Sequence, residues 1–148
     1  MTTKKPAIII DTREKLPFSF GRRKTIVGTL KTGDYSLEGF EDKIVVERKS
    51  IKDFASSITK ERFWNEMGRM QEIPHSYLLL EFSVEDIIKY PVGSGIPRKK
   101  WRWLKVKKGY MFSCIKKIEE DYGITVLFSD SRAEAAKKCK ELLSSGVH

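Results

Sequence analysis

The chain has 148 residues, 40% apolar and 33% charged, with a net charge of +9. That length makes one ordinary globular domain able to bury about 68–70% of its unfolded surface, and the composition excludes a disordered tail. The longest apolar runs fall far short of a membrane span. The positive excess calls for a polyanionic partner, nucleic acid first, with lysine-driven solubility as the plain alternative.

Ala7–Ile10 predicts a buried strand that stops at Asp11, too short for a signal peptide. Thr12–Phe20, with Pro17 inside it, reads as a loop. Thr25–Leu30 predicts a second strand turning at Gly33, and Ile44–Lys49 a third. Ser50 is placed to cap a helix through Ser57, with Asp53 at its third position. Phe63–Gln71 is a second helical stretch closed by Pro74. Its Phe63, Trp64, Met67 and Met70 recur at helical spacing and read as core.

Tyr77–Glu81 predicts another strand, and Ser83 a cap for Val84–Tyr90. Pro91–Val106 is a loop rich in Gly, Pro and basic residues. Lys108–Tyr122 carries Met111, Cys114, Ile115, Ile118 and Tyr122 on one helical stripe. Ile124–Phe128 is a strand. Asp130 or Ser131 caps a last helix that turns Ala133, Ala136, Cys139, Leu142 and Leu143 inward.

Strands first, then strand–helix alternation, predict an α/β or α+β domain: a mixed sheet flanked by helices in three layers. The near-continuous apolar strands require cover on both faces. Cys114 and Cys139 lie on apolar stripes and read as packed, reduced thiols. His75 and His148 have no metal-ligand spacing, so zinc is not expected. An intracellular, reducing compartment follows.

The chemistry gathers at strand ends. Ile44-Val45-Val46 runs into Glu47-Arg48-Lys49, a charged way to finish a buried strand. Alternation puts Glu47 and Lys49 on one face and Arg48 on the other. With Asp11 and Asp34, the chain offers three carboxylates near strand ends or turns. One or two carboxylates plus a substrate phosphate suffice for magnesium. A lysine beside them suits a phosphodiester-cutting site, stabilising charge on phosphate or orienting water.

Gly33-Asp34, a gap, Glu47-Arg48-Lys49 and then Asp53, preceded by Asp11-Thr12-Arg13-Glu14, resembles the XPF-type structure-specific DNA endonucleases of the PD-(D/E)XK superfamily. Arg62 and the strand Tyr77–Phe82 fit the same plan, and the similarity runs from about Ile8 to Phe82, more loosely beyond. The resemblance implies a restriction-endonuclease-like three-layer sandwich and a Mg2+- or Mn2+-dependent endonuclease of branched DNA in repair or recombination. It further implies Asp34 and Glu47 as metal ligands and Lys49 as catalytic lysine. Asp11, Glu14 and Asp53 would be supporting acids, and Arg13 and Arg48 would contact substrate or order the site. From the residues alone, a helix-cap role explains Asp53 equally well, and Arg48 could instead pair with Glu14.

The family commonly carries a tandem helix-hairpin-helix domain or a helicase; here residues 1–148 read as the nuclease domain alone. Junction targeting would then come from this domain or from a separate partner. The family also implies a homodimer, plausibly through the two C-terminal helices. Arg98-Lys99-Lys100-Trp101-Arg102-Trp103 is the densest basic and aromatic stretch and suits DNA binding, with bases stacking on the rings. Alternatively, the two tryptophans face the core from one side of a strand. Arg62 is a further DNA-binding candidate. Two other functions stay open: a catalytically silent DNA-binding subunit, and a general nuclease or resolvase without branch preference.

Overall fold

The structure is a computed structural model that describes residues 5–145, leaving His148 outside the described residues. Six strands form one mixed sheet: β1 (Ile8–Asp11), β2 (Thr25–Gly28), β3 (Tyr35–Leu37), β4 (Ile44–Lys49), β5 (His75–Leu80) and β6 (Thr125–Phe128). Their spatial order is β2-β1-β3-β4-β5-β6. β3 runs antiparallel to both neighbours, and the other pairs are parallel. The helices are α1 (Ile51–Ser57), α2 (Glu61–Gln71), α3 (Val84–Lys89), α4 (Lys108–Glu120) and α5 (Arg132–Ser145), with a 3-10 helix at Arg98–Trp103. This is the expected α/β three-layer sandwich.

Strand parity sorts the core into two halves. Val45, Leu78, Leu80 and Val126 pack under α1, α2 and α4 through Phe54, Phe63, Met67 and Ile118. Ile8, Ile10, Tyr35, Val46 and Leu79 face the other way, onto α5 through Ala135, Cys139 and Leu143, with Phe18 and Phe20 from the first loop. Both faces are covered, as parallel strands without polar alternation require. Among the described residues, no helix is long and apolar enough to cross a membrane.

The caps follow the sequence. The Ser50 hydroxyl accepts the Asp53 N–H at 3.2 Å, Ser83 forms a capping box with Asp86, and Ser131 accepts the Glu134 N–H at 3.1 Å. One strand has no counterpart in the sequence reading, and two expectations need correction. β3 follows the Gly33 turn as a strand of its own. Its Ser36 hydroxyl donates to the Ile44 carbonyl at 2.5 Å, which lets a polar residue sit in the core. Ala133 is exposed and Ala135 is buried in its place, because the helix begins one residue before Ala133 and turns that position outward. Residues 98–103 form neither loop nor strand but a 3-10 helix, which leaves Trp101 half-buried and Trp103 exposed rather than both against the core.

Candidate active site

The site begins with a glycine. Gly33 has φ +84°, a conformation other residues rarely adopt, and a Cβ there would lie 1.9 Å from a methyl of Val45. Its absence lets the next residue press against β4. The Asp34 N–H donates to the Val46 carbonyl at 2.9 Å, and the Asp34 carbonyl accepts from the Asp11 N–H at 2.9 Å. The Arg48 backbone N–H donates to Asp34 Oδ2 at 2.9 Å. Asp34 is thereby fixed between the ends of β1 and β4.

Register then sorts the charged triplet. Glu47 and Lys49 pair with Leu78 and Leu80 of β5, on the α1/α2/α4 face. Arg48 pairs with Leu79 and takes the α5 face. On the first face, Asp11, Arg13, Asp34, Glu47, Lys49 and Arg62 line one recess of about 780 Å3, completed by Lys15, Phe63, Glu66 and Arg69 among others. Lys49 Nζ is 3.5 Å from Glu47 Oε2 and 5.9 Å from the Phe63 ring centre.

Glu47 is buried and Asp34 half-buried, and both line the recess. Burial pushes Asp34 up to about 6, with repulsion from Glu14 and Glu66 adding to it and the Arg48 N–H opposing. Burial first, and then the charges of Asp34 and Glu66, hold Glu47 well above the usual carboxylate range against the pull of Lys49. Two crowded, desolvated acids facing one lysine suit a hard divalent cation, which would relieve their repulsion. Among the described residues, no three His, Cys, Asp or Glu side chains are placed together as a metal cage. The pair would leave the remaining positions to water and phosphate, as magnesium accepts.

Asp11 borders the recess, but its oxygens are already engaged. They accept from Arg13 Nε at 2.7 Å, from the Arg13 N–H at 3.2 Å and from the Leu30 N–H at 2.8 Å. Burial alone would raise its pKa, but these bonds outweigh it and hold Asp11 below the ordinary value. It orients Arg13, whose guanidinium also reaches the Leu30 carbonyl at 2.9 Å.

Glu14, Arg48 and Asp53 gather elsewhere, around a second recess shared with Glu81 and Arg132. Arg48 bridges Glu14 at 3.1 Å and Glu81 at 2.7 Å. Its guanidinium lies 4.0 Å above the Phe18 ring centre, and it donates to the Leu16 carbonyl at 2.8 Å. Buried Tyr35 donates to Glu14 at 2.7 Å. The pairing of Arg48 with Glu14, open from the sequence, is present. Asp53 sits exposed in the first turn of α1, away from Asp34 and Glu47.

Sequence reasoning passed over Glu66, whose charge acts on both central acids. The available signal was Arg62, Glu66 and Arg69 spaced i, i+4, i+7 along α2, one polar face of an amphipathic helix. Arg98–Trp103 stand outside both recesses. Arg98 covers the Trp101 ring at 5.5 Å, while Trp103 is 68% exposed.

Residues 10–142 match the family model described as the ERCC4 domain. The chain is 30% identical over 136 residues to a Methanocaldococcus jannaschii protein whose name describes an ATP-dependent RNA helicase, covering 90% of this chain and 15% of that protein. It is 27% identical over 118 residues to the 3'-flap repair endonuclease Xpf of Saccharolobus solfataricus, covering 79% of this chain and 43% of that one. The fold matches XPF from Aeropyrum pernix with a TM-score of 0.66 at 22% identity, over 93% of this chain and 63% of that chain. The same protein in complex with DNA matches with a TM-score of 0.64, again at 22% identity, over 94% of this chain and 63% of that chain. The chain thus spans less than two thirds of each of these relatives.

Proposed function

Because the chain belongs to the ERCC4-domain family, as an XPF-type nuclease domain, we propose that it is a metal-dependent DNA endonuclease that prefers branched DNA, acting in repair or recombination inside the cell. One observation carries the reading: buried Glu47 and half-buried Asp34, both held above the ordinary carboxylate range, open beside Lys49 into a recess rimmed by Arg13, Lys15, Arg62 and Arg69.

Asp34 and Glu47 would hold Mg2+ or Mn2+, which when bound neutralises charge on the attacked phosphate and lowers the pKa of a bound water. Lys49, beside Glu47, places an ammonium where charge develops on the phosphoryl oxygens. The guanidinium and ammonium groups on the rim bind neighbouring phosphates and set the backbone in register. Phe63 forms an apolar wall of the recess 5.9 Å from the Lys49 ammonium, and an apolar wall strengthens the field of a nearby charge. Asp11 acts by orienting Arg13. Glu14, Arg48 and Asp53 act at a distance, through the loop and helix they fix, rather than on the phosphate.

The branched preference draws on the name of the Saccharolobus relative, a 3'-flap repair endonuclease. DNA binding draws on the basic rim and the +9 charge, and on the DNA complex of the Aeropyrum protein. A homodimer through this domain draws on the exposed Tyr110 and Phe112 of α4; α5 spends its apolar face on the sheet. A separate DNA-targeting partner is part of the same reading. Labelled forks, flaps, junctions and linear duplex, incubated with Mg2+, Mn2+ or chelator, test it. Nicking of branched substrates that chelator abolishes is expected. Tight fork binding without cleavage at any divalent metal would make the chain a silent subunit, and equal cutting of duplex and forks would remove the branch preference.

A further inference from the structure

A third recess, a cleft, lies on the side of α1 away from the carboxylates. Helix α1 lends Ser57 to the carboxylate recess, and lends Lys52, Ala55 and Ser56 to a cavity of about 680 Å3 closed by the 3-10 helix and the segment after it. The floor is apolar, from Ala55, Leu104 and Val106. Lys52, Lys100 and Lys105 line it, and no carboxylate does. Its wall is Trp103, 68% exposed, with the Arg102 guanidinium 4.8 Å from the ring centre.

The segment is built to present that ring. Trp101 is half-buried and its indole N–H donates to the Ile96 carbonyl at 3.0 Å, while the Leu104 N–H closes on the Trp101 carbonyl at 3.1 Å. One tryptophan anchors the turn, and the next in line stays open to solvent. A large exposed aromatic in a cation-lined apolar cleft is the combination that takes a flat π-face attached to a phosphate.

We propose that this cleft binds an unpaired stretch of nucleic acid, with a base stacked on Trp103 and its flanking phosphates on Lys52, Lys100 and Lys105. Duplex DNA cannot fill the site, because its bases already stack on one another and offer no free face. This cleft and the carboxylate recess share α1, so they lie about one helix width, roughly 10–12 Å, apart. A strand leaving the carboxylate recess unpaired therefore crosses α1 into the cleft, which gives the domain its own means of sensing a branch. The inference rests on the reading of the chain as a DNA-binding protein, not on its catalysing cleavage.

The test is equilibrium binding in chelator, where cutting does not enter. Full chains of wild type, Trp103→Ala and Trp103→Phe are titrated with labelled oligothymidylate, with an abasic oligomer of equal length and with a blunt duplex. Sedimentation and melting are recorded for each. Wild type should bind oligothymidylate more tightly than the abasic oligomer, with quenching of tryptophan fluorescence. Trp103→Ala should weaken oligothymidylate about 5- to 100-fold, from the loss of one stacked base. Duplex binding should stay within about twofold, and Trp103→Phe should recover most of the loss. Equal affinity for abasic and thymidine oligomers, or no effect of Trp103→Ala, overturns the proposal. So does a dimer-to-monomer change in Trp103→Ala that accounts for the lost affinity, since the cleft would then be covered by a second copy. Failure of Asp34 or Glu47 variants to affect cleavage would overturn the enzymatic reading and leave this one standing.

Discussion

Asp34 and Glu47 work against the fold that holds them. Their pKa values are raised by burial first and then by neighbouring carboxylates, Glu14 and Glu66 for Asp34, and Asp34 and Glu66 for Glu47, so each binds its proton more tightly folded than unfolded. The stability they contribute is fully present below about pH 4, and is lost as pH rises through about 6 for Asp34 and through the raised pKa of Glu47. At neutral pH without metal they are a liability. Asp34→Asn, whose carbonyl can still accept the Arg48 N–H, should therefore raise metal-free stability at pH 7.5 by about 1–3 kcal/mol. It should also flatten the loss of stability between pH 4 and 7. Divalent metal should raise the melting temperature of wild type and leave the variant unmoved, a pattern that thermal melts with and without Mn2+ would read. An Asp34→Asn chain less stable than wild type at pH 7.5 would refute the raised pKa of Asp34. Arg48 has the opposite character. With 12% of its side chain exposed, it holds Glu14 and Glu81 together, so Arg48→Ala should cost about 3 kcal/mol in denaturant unfolding by leaving both acids without their cation. Metal affinity at the other face should change little, since the backbone N–H to Asp34 remains.

At the scale of elements, a single turn sets the distance between the acids. Gly33→Ala must move Val45 or open the turn, since its Cβ would fall 1.9 Å from a Val45 methyl at φ +84°. Strain and overpacking together should cost about 2–4 kcal/mol. If the fold survives, metal affinity should drop with it, and calorimetric titration of the purified variant with Mn2+ would show whether it does. The turn was legible from Gly33-Asp34, and the division of Glu47 and Lys49 from Arg48 was legible from strand parity alone. β3 was not, because three residues with a serine between two apolar positions carry no periodic signal, and its partners on both sides define it. Glu66 was not legible as a site residue, since only packing brings α2 over the end of β4. The 3-10 helix escaped for a related reason: Arg98–Trp103 has no apolar stripe, and its shape comes from the Trp101 anchor. Asp53 illustrates the reverse. Its cap position was readable, and the cap is where the structure leaves it.

For the whole molecule, charge and architecture divide the work. The sandwich buries its acids at one strand end and leaves basic residues around them, so DNA should be drawn in electrostatically and held by few base contacts. Phosphate contacts from Arg13, Lys15, Arg62 and Arg69 would give a log-log salt slope of about −3 to −4 for duplex binding. Substituting Arg62 and Arg69 together with alanine should lower it by about 2, which fluorescence anisotropy across a salt series can measure. The central claim is that Asp34, Glu47 and Lys49 form one metal-dependent cutting centre. Its most direct test is single-turnover cleavage of a labelled fork, with protein and DNA assembled in chelator and the reaction started by excess Mg2+ or Mn2+. Wild type should cut only after metal is added, Lys49→Ala should be slowed about 100- to 1,000-fold, and Asp34→Asn and Glu47→Gln should bind the fork but leave it intact. Metal-triggered cutting at the wild-type rate by all three variants would contradict the account.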